Sequence, residues 1–426
     1  LDILHRHAAL ESLYDSAESF PQPRCHPETR VKLLEDLWHQ IQEPNTRVLW
    51  LHGPAGAGKS AVMQTLCQRL YDAGQLGGSF FFKRDHPTRG SGRFLFATLA
   101  YQLAMFDLDL GIRISEVVET KPSLVAASIA SQSQELIAKP CLSAEHWTPR
   151  ILLIDGLDEC DGVAVQQEIL RAIFQLFRKH PLPVKNFVAS RPEPDIRHLF
   201  DENPFDGLYT LNIEQSFADV ETFLRREFSR VHREHPTMSH VPLPWPTADV
   251  LDTLVWKSSG YFIYASTIIK FVDDQDFRPT DQLAIVLDPS SERDALPYAA
   301  LDRLYLQILF QVPGRSRRPL LSILAAIVMY PFKLGIHQLE CIFGLANGDV
   351  RLILRRLHSI LRVPPVNSGG LLYAIHGSLG DFLLTASRSS IFHLGAQERI
   401  HLAHAFLLLY SRPLPNHEHL HKVPEV

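Results

Sequence analysis

Residues 53–60 read Gly53-Pro54-Ala55-Gly56-Ala57-Gly58-Lys59-Ser60. A glycine, four residues, then Gly-Lys-Ser is the spacing of a loop that wraps phosphate. Glycines let the backbone curl so that successive N–H groups point inward at phosphate oxygens. The helix that follows presents its positive N-terminal end to the same anion. Lys59 supplies a point charge for the outer phosphates, and the Ser60 hydroxyl is a ligand for Mg²⁺. Nucleotide contacts are expected over Gly53, Pro54, Ala55, Gly56, Ala57, Gly58, Lys59, Ser60 and Ala61. The bland alternative is a glycine-rich turn that binds nothing. The flanks argue against it, because an apolar strand at 47–52 (RVLWLH) precedes the loop and a helix follows it. That helix is apolar at Val62, Leu66 and Leu70 and stops at Gly74.

A second cluster lies about a hundred residues downstream, in Ile151-Leu152-Leu153-Ile154-Asp155-Gly156-Leu157-Asp158-Glu159. The apolar run predicts a buried strand whose C-terminal end delivers Asp155 to the sheet edge where ligands bind. Asp155 would hold the metal together with Ser60. Glu159 is placed to orient or deprotonate an attacking water, and Asp158 to help the metal or hold Glu159. By itself an acidic turn after a core strand is ordinary; coupled to the phosphate loop it reads as the hydrolytic half of one site. Arg191 follows the strand 185–190 (KNFVAS). If that strand neighbours the metal-binding one, Arg191 faces the γ-phosphate. The alternative is a surface arginine opening a loop before Pro192.

The elements that must position these residues alternate. A helix is expected at 30–41, strands at 78–82, 151–155, 185–190 and 208–213, and helices at 94–105 and around Ile169, Ile173, Leu176 and Phe177. Residues 115–148 carry little pattern and read as a helical insertion plus loop. Such alternation predicts a parallel sheet covered on both faces. Beyond 215 the pattern becomes helical, with Ser216 and Asp219 as an N-terminal cap and breaks at 240–246, 288–294 and 312–319. Near the end come a helix at 350–361, a turn at 368–370, a strand at 371–376 and a helix at 380–386, the order of a winged helix. The fold class is therefore α/β: a P-loop NTPase with a parallel sheet flanked by helices, followed by an all-α helical domain and a winged-helix domain. The expected divisions are a linker and helix at 1–27, the nucleotide-binding domain at 28–214, the helical domain at 215–295, the winged helix at 296–386 and a helical tail at 387–426.

Composition narrows the partners. Of 426 residues 46% are hydrophobic and 21% charged, the balance of a globular chain with a large core. Forty-two Lys and Arg against 47 Asp and Glu give a net charge of −5, which argues against a dedicated nucleic-acid binder. The longest apolar runs, 261–272 and 320–330, fall short of the roughly 20 residues that span a bilayer. Cys25, Cys67, Cys141, Cys160 and Cys341 are scattered, as suits free thiols in a reducing, cytoplasmic setting. The first residue is Leu1, which suggests that the native N-terminus lies upstream.

GPAGAGKS, ILLIDGLDEC and FVASRPEPDI together resemble the NACHT family of signal-transduction (STAND) ATPases, particularly the large fungal set with nephrocystin-3-like nucleotide-binding regions. CHPETR, GSFFFKRD and SGYFIYAST carry the same resemblance, and LDRLYLQIL, LHSILRVP and YAIHGSLGDFLL look like the family's winged-helix region. The likeness covers roughly residues 13–385. It implies a nucleotide switch using ATP, ADP and Mg²⁺. ADP locks the helical and winged-helix parts against the ATPase domain, and exchange for ATP opens the molecule and permits self-association. Hydrolysis is then slow and resets the state. It also implies that Thr29 and Arg30 lie near the adenine and that His376 reaches the β-phosphate of ADP. Where many relatives carry Gly-x-Pro against the base, this chain has Gly260-Tyr261-Phe262. An N-terminal effector and a C-terminal repeat array, in an NLR-like immunity or self-recognition protein, would lie outside the 426 residues.

Three other functions share parts of this pattern. A ring-forming AAA+-type ATPase would have the same loop, acids and sensor arginine. A P-loop kinase would need a basic lid and an acceptor other than water. A winged-helix nucleic-acid regulator would use Arg351, Arg355, Arg356 and Arg362 on phosphates.

Overall fold

The computed structural model describes residues 1–19, 22–84, 86–143, 150–179, 182, 184–287, 299–330, 334–364 and 370–411. By internal contacts the chain divides into two units, Leu1–Ile269 and Lys270–Val426.

The first unit is built on a five-stranded sheet of β1 (Val48–His52), β2 (Leu76–Phe81), β3 (Arg150–Asp155), β4 (Val184–Ser190) and β5 (Leu208–Asn212). The strand order is β2-β3-β4-β1-β5, and every pairing is parallel. β1 and β3 read as nearly unbroken apolar runs because both faces are covered, while the edge strand β5 is half-exposed. Alternate residues divide cleanly. Val48, Trp50, Leu152 and Ile154 enter one core, and Leu49, Leu51, Ile151 and Leu153 the other. Helices Leu95–Phe106 and Val163–Lys179 close the first face, and Val31–Gln42 and Lys59–Asp72 the second. On the first face Trp50 stacks on Phe200 with ring centres 4.0 Å apart, and its Nε1 donates to Ser190 Oγ at 2.9 Å.

The five strands fall where the apolar runs predict them, with ends shifted by a residue or two. The described part of the weakly patterned 115–148 stretch is largely helical. It continues the helix Leu108–Thr120 and, after the short turn Pro122–Ala126, runs helically from Ile129 to Ser143. Residues 144–148 lie outside the described residues. The N-terminal segment, expected as helix and linker, is packed into this unit. Leu4, Ala9, Ser12 and Tyr14 are buried, and Ala9 N–H donates to Thr98 Oγ1 at 2.9 Å. After β5, Ser216 caps the helix Phe217–Glu234, its Oγ accepting from Asp219 N–H at 3.3 Å as the pattern predicts.

Among its described residues the second unit is helical apart from a short ribbon and an isolated bridge between Gly335 and Leu371. Helices Ala299–Phe310, Arg317–Met329, Ile336–Phe343 and Asp349–Leu354 lead into β6 (Leu361–Arg362), which pairs antiparallel with β7 (Tyr373–Ala374). Helices Ser378–Leu383 and Ala396–Ser411 follow, the latter packed on Arg317–Met329 and Ile336–Phe343. The helix expected over 350–361 ends at Leu354. Val350, Leu354, Leu357 and Leu361 keep a helical spacing and are all buried. A turn closed by Leu361 N–H on Leu357 O at 2.7 Å keeps them on one apolar side while the chain turns to extended backbone. Periodicity reported which face is buried; it could not report that the helix had ended. The expected breaks at 288–294 and 368–369 and the tail from 412 lie outside the described residues.

Three of the four arginines considered as phosphate contacts have partners inside this unit. Arg355 Nε lies 2.9 Å from Asp276 Oδ2, Arg351 donates to Pro364 O at 2.6 Å, and Arg356 donates to Gln311 O at 3.1 Å. Among the described residues no helix is long and apolar enough to cross a membrane.

Candidate functional site

The glycine-rich loop leaves β1 at His52 and enters the Lys59–Asp72 helix. Two left-handed residues make the turn, Gly56 at φ 75° and Gly58 at φ 92°, the second immediately before the helix. A side chain at either would strain the backbone. At Gly56 space is also lacking, since an added Cβ would lie 2.2 Å from Ile263 Cγ2. The amino end of the helix Phe262–Val272 therefore sits against the loop itself.

Lys59 Nζ donates to Gly53 O at 2.7 Å and Pro54 O at 3.0 Å. Burial pushes its pKa down, opposed by the carboxylates of Asp158 and Asp155. A half-buried ammonium over a glycine-rich loop, with acids nearby, has exchangeable carbonyl partners and is set up to take phosphate oxygens.

Asp155 stands at the end of β3 and is buried. The Ser60 hydroxyl lies beside its carboxyl, which brings the two sequence clusters together. Burial pushes its pKa up to about 7; Ser60 and Lys59 pull it down, and Glu159 and Asp158 push it further up. Oδ1 of Asp155 is buried without a hydrogen-bond partner. An orphaned carboxylate oxygen beside a serine hydroxyl is the donor set that Mg²⁺ takes, with nucleotide oxygens and water completing the shell. Among the described residues no group of three or more His, Cys, Asp or Glu side chains could hold a metal ion by itself. Ser60 and Asp155 thus fit a cation that arrives with its phosphates.

Glu159 lies on the short turn Leu157–Glu159 beyond β3. Burial and the neighbouring Asp158 raise its pKa, while Arg191 and Arg84 lower it. Arg84 N–H donates to Glu159 Oε2 at 3.4 Å. A carboxylate with a raised pKa, near Asp155, is suited to accept a proton from water.

Arg191 follows β4, which lies between β3 and β1 in the sheet. The strand that ends in Arg191 is therefore flanked by the strand of the phosphate loop and the strand of Asp155. Asp158 accepts from Arg191 N–H through Oδ1 at 2.8 Å and holds Nε through Oδ2 at 3.3 Å. Both oxygens of Asp158 thus serve Arg191, whereas the sequence assigned that carboxylate to the metal or to Glu159.

Arg30 is buried at φ 56° before the helix Val31–Gln42. It donates to Ala57 O in the phosphate loop at 3.2 Å and to Glu214 O after β5 at 3.0 Å. Its N–H donates to Asp219 Oδ1 at 3.1 Å, and its guanidinium lies 5.4 Å from the Phe262 ring centre. Arg30 thus joins the loop to the helices that follow the sheet. Thr29, also buried, donates Oγ1 to His26 O at 2.7 Å. A cavity of about 440 Å³ beside the loop is lined by Pro54, Asn212, Ile213, Glu214, Gln215, Phe217 and Tyr261. In the second unit His376 Nδ1 accepts from Ser378 N–H at 3.0 Å and lies 2.8 Å from Ser378 Oγ.

Residues that the sequence did not single out complete the surroundings. Arg89 is buried and donates Nε to Phe81 O at 3.0 Å; burial lowers its pKa, opposed by the carboxylates of Glu18, Glu159, Asp155 and Glu11. Ile263 packs on the loop from some 200 residues away. The only hint of Arg89 was its place just after the apolar run of β2, which no spacing rule converts into a role.

Residues 29–191 match the family model of the nephrocystin 3 N-terminal region. No curated protein matches the chain. Among solved structures, a signal transduction ATPase with numerous domains (STAND) from Pyrococcus horikoshii, with a tetratricopeptide repeat sensor, is similar at 13% identity and a TM-score of 0.50. The match covers 93% of this chain and 47% of that one, so this chain spans about half the length of its relative. The ORC1 protein of Aeropyrum pernix in complex with DNA is 15% identical over 89% of this chain and 92% of its own, at a TM-score of 0.37. AMPPCP-bound DnaA of Aquifex aeolicus is 10% identical over 82% and 90%, at a TM-score of 0.34.

Proposed function

We propose, from the premise that this chain carries a STAND-type P-loop NTPase fold, that its site binds ATP or ADP with Mg²⁺ and hydrolyses ATP slowly, as a conformational switch. One observation carries the reading: the hydroxyl of Ser60, from the phosphate loop, meets a buried Asp155 whose Oδ1 has no partner. That arrangement is costly for the folded chain unless a cation uses it.

In this reading the loop amides of 53–61 and Lys59 hold the phosphates, and Ser60 and Asp155 hold Mg²⁺, which when bound neutralises charge on the β- and γ-oxygens. Glu159 takes a proton from the attacking water. Arg191, kept in place by Asp158, faces the charge that develops on the γ-phosphoryl group. The base occupies the cavity beside Pro54, which Tyr261 lines while the next residue, Phe262, holds the place of the relatives' proline, and Arg30 fixes the wall through Glu214 O. His376 contacts the β-phosphate of ADP in a closed state, and ATP favours self-association. By resemblance the protein works in the cytoplasm, in NLR-like immunity or self-recognition, with effector and repeat domains beyond this chain. The likeness to the repeat-bearing archaeal ATPase agrees with that larger plan. The divisions 28–214, 215–295 and 296–386 are the working domain boundaries, the last being a winged helix.

The nucleic-acid reading is weakened by the internal partners of Arg351, Arg355 and Arg356. The test is calorimetry with ATP and Mg²⁺ together with single-turnover phosphate release. Lys59→Ala should abolish binding, and Glu159→Gln should keep binding and lower release at least about a hundredfold. His376→Ala should speed ADP loss and favour assembly. Unchanged affinity in Lys59→Ala would overturn the assignment of the loop. Turnover well above about one per second would turn the switch reading toward a motor ATPase.

A further inference from the structure

Residues 86–90, after β2, lie between the hydrolytic acids and the N-terminal segment. Towards the site, Asp161 N–H donates to Gly90 O at 2.8 Å, and a Cβ on Gly90 would come within 2.7 Å of Asp161 Oδ2. The same loop supplies the Arg84 N–H that meets Glu159 Oε2. Arg89 Nε is tied to Phe81 O, and Phe81 is the register partner of Asp155.

Towards the N-terminal segment, His86 Nε2 lies 3.1 and 3.2 Å from the two oxygens of Glu18, and Thr88 Oγ1 donates to Glu11 Oε1 at 2.6 Å. His86 joins the two sides. Its Nδ1 accepts from Arg89 N–H at 3.1 Å and Thr88 N–H at 3.4 Å. With Nδ1 an acceptor, Nε2 carries the proton and donates to Glu18. The charge of the buried Arg89 is supported by carboxylates of both sides, Asp155 and Glu159 of the site and Glu11 and Glu18 of the N-terminal segment, which oppose the lowering of its pKa by burial. Removing either pair leaves a buried charge under-compensated.

We propose that residues 86–90 couple the N-terminal segment to hydrolysis, with His86 and Arg89 as positioning residues that keep the Arg84 N–H on Glu159 while Glu11 and Glu18 are docked. The inference rests on the reading of Glu159 as the hydrolytic base. Coupling between two sites is reciprocal for binding. Nucleotide at the phosphate loop should therefore alter the protection of residues 8–18, and unfastening those residues should slow hydrolysis.

The test combines hydrogen exchange with phosphate release on the whole chain. In the wild type, AMPPCP with Mg²⁺ should change amide exchange across residues 8–18. His86→Ala should abolish that response, raise basal exchange there severalfold and lower kcat about tenfold, with ATP affinity within about twofold. Glu18→Gln, on a partly exposed residue, should move both readouts in the same direction and serves if His86→Ala does not fold. Free N-terminal residues with normal kcat would overturn the coupling and leave the role of Glu159 intact. Absence of phosphate release from the wild type would overturn that role instead. The coupling would then stand or fall on the nucleotide response of residues 8–18 alone.

Discussion

Asp158 grips Arg191 at two atoms, the backbone N–H through Oδ1 at 2.8 Å and the guanidinium Nε through Oδ2 at 3.3 Å. The carboxylate side chain is almost wholly buried, so this is a desolvated pair with good geometry. It fixes where the chain leaves β4 and where the arginine head points. Asp158 is thus the anchor of the residue proposed to meet the γ-phosphoryl group.

Asp158→Ala should misplace Arg191 and lower single-turnover phosphate release by roughly ten- to a hundredfold, with ATP affinity nearly unchanged. Arg191→Lys should behave similarly, because an ammonium keeps the charge but cannot be held through Nε. Equal loss of affinity and rate would indicate collapse of the loop.

The buried carboxyl of Asp155, with its pKa raised to about 7, sets a pH dependence. Between its unfolded pKa, about 3.9, and its folded value the native state binds more protons than the unfolded state. Stability of the nucleotide-free protein in EDTA should therefore fall as pH rises through that window. Asp155→Asn removes the buried charge. Its melting temperature should exceed that of the wild type at pH 8 and converge with it near pH 4, while Mg²⁺-dependent nucleotide binding is lost. Parallel melting curves across this range would count against the raised pKa.

Arg30 satisfies Ala57 O and Glu214 O from one buried head, with Asp219 held by its backbone N–H. Arg30→Met keeps much of the volume and leaves the two carbonyls unpaired. A loss of about 2–4 kcal/mol in urea unfolding is expected. Weaker nucleotide binding should accompany it, since the loop and the wall of the cavity lose their common tie. A loss below about 0.5 kcal/mol would reduce Arg30 to a surface-like role.

Gly56→Ala meets two obstacles, the left-handed φ of 75° and Ile263 Cγ2 at 2.2 Å from the new Cβ. Destabilisation of about 2 kcal/mol or more is expected. Ile263→Ala should recover part of it, leaving the backbone strain of about 1 kcal/mol. A double-mutant cycle reads the coupling directly, and simple additivity would show that Ile263 does not press on the loop.

Some of this molecule was legible along the chain because its determinants are local. The glycine and Lys-Ser spacing fixes a phosphate cradle, apolar runs bounded by turns fix β1 to β5, and Ser216 fixes the start of a helix through a hydroxyl three residues from the amide it caps. Both-face burial also follows from runs that do not alternate. The order β2-β3-β4-β1-β5 is different in kind. It places Arg191 between the strand of the glycine-rich loop and the strand of Asp155, and depends on how crossovers pack. Only the assembled sheet assigned Asp158 to Arg191, orphaned Asp155 Oδ1 beside Ser60, and set Arg30 across the loop, β5 and the following helices. Residue type and spacing state what a side chain can do. Which group it does it to is decided by contacts between residues tens to hundreds of positions apart, and in this protein Asp158, Arg30 and His86 took their partners there.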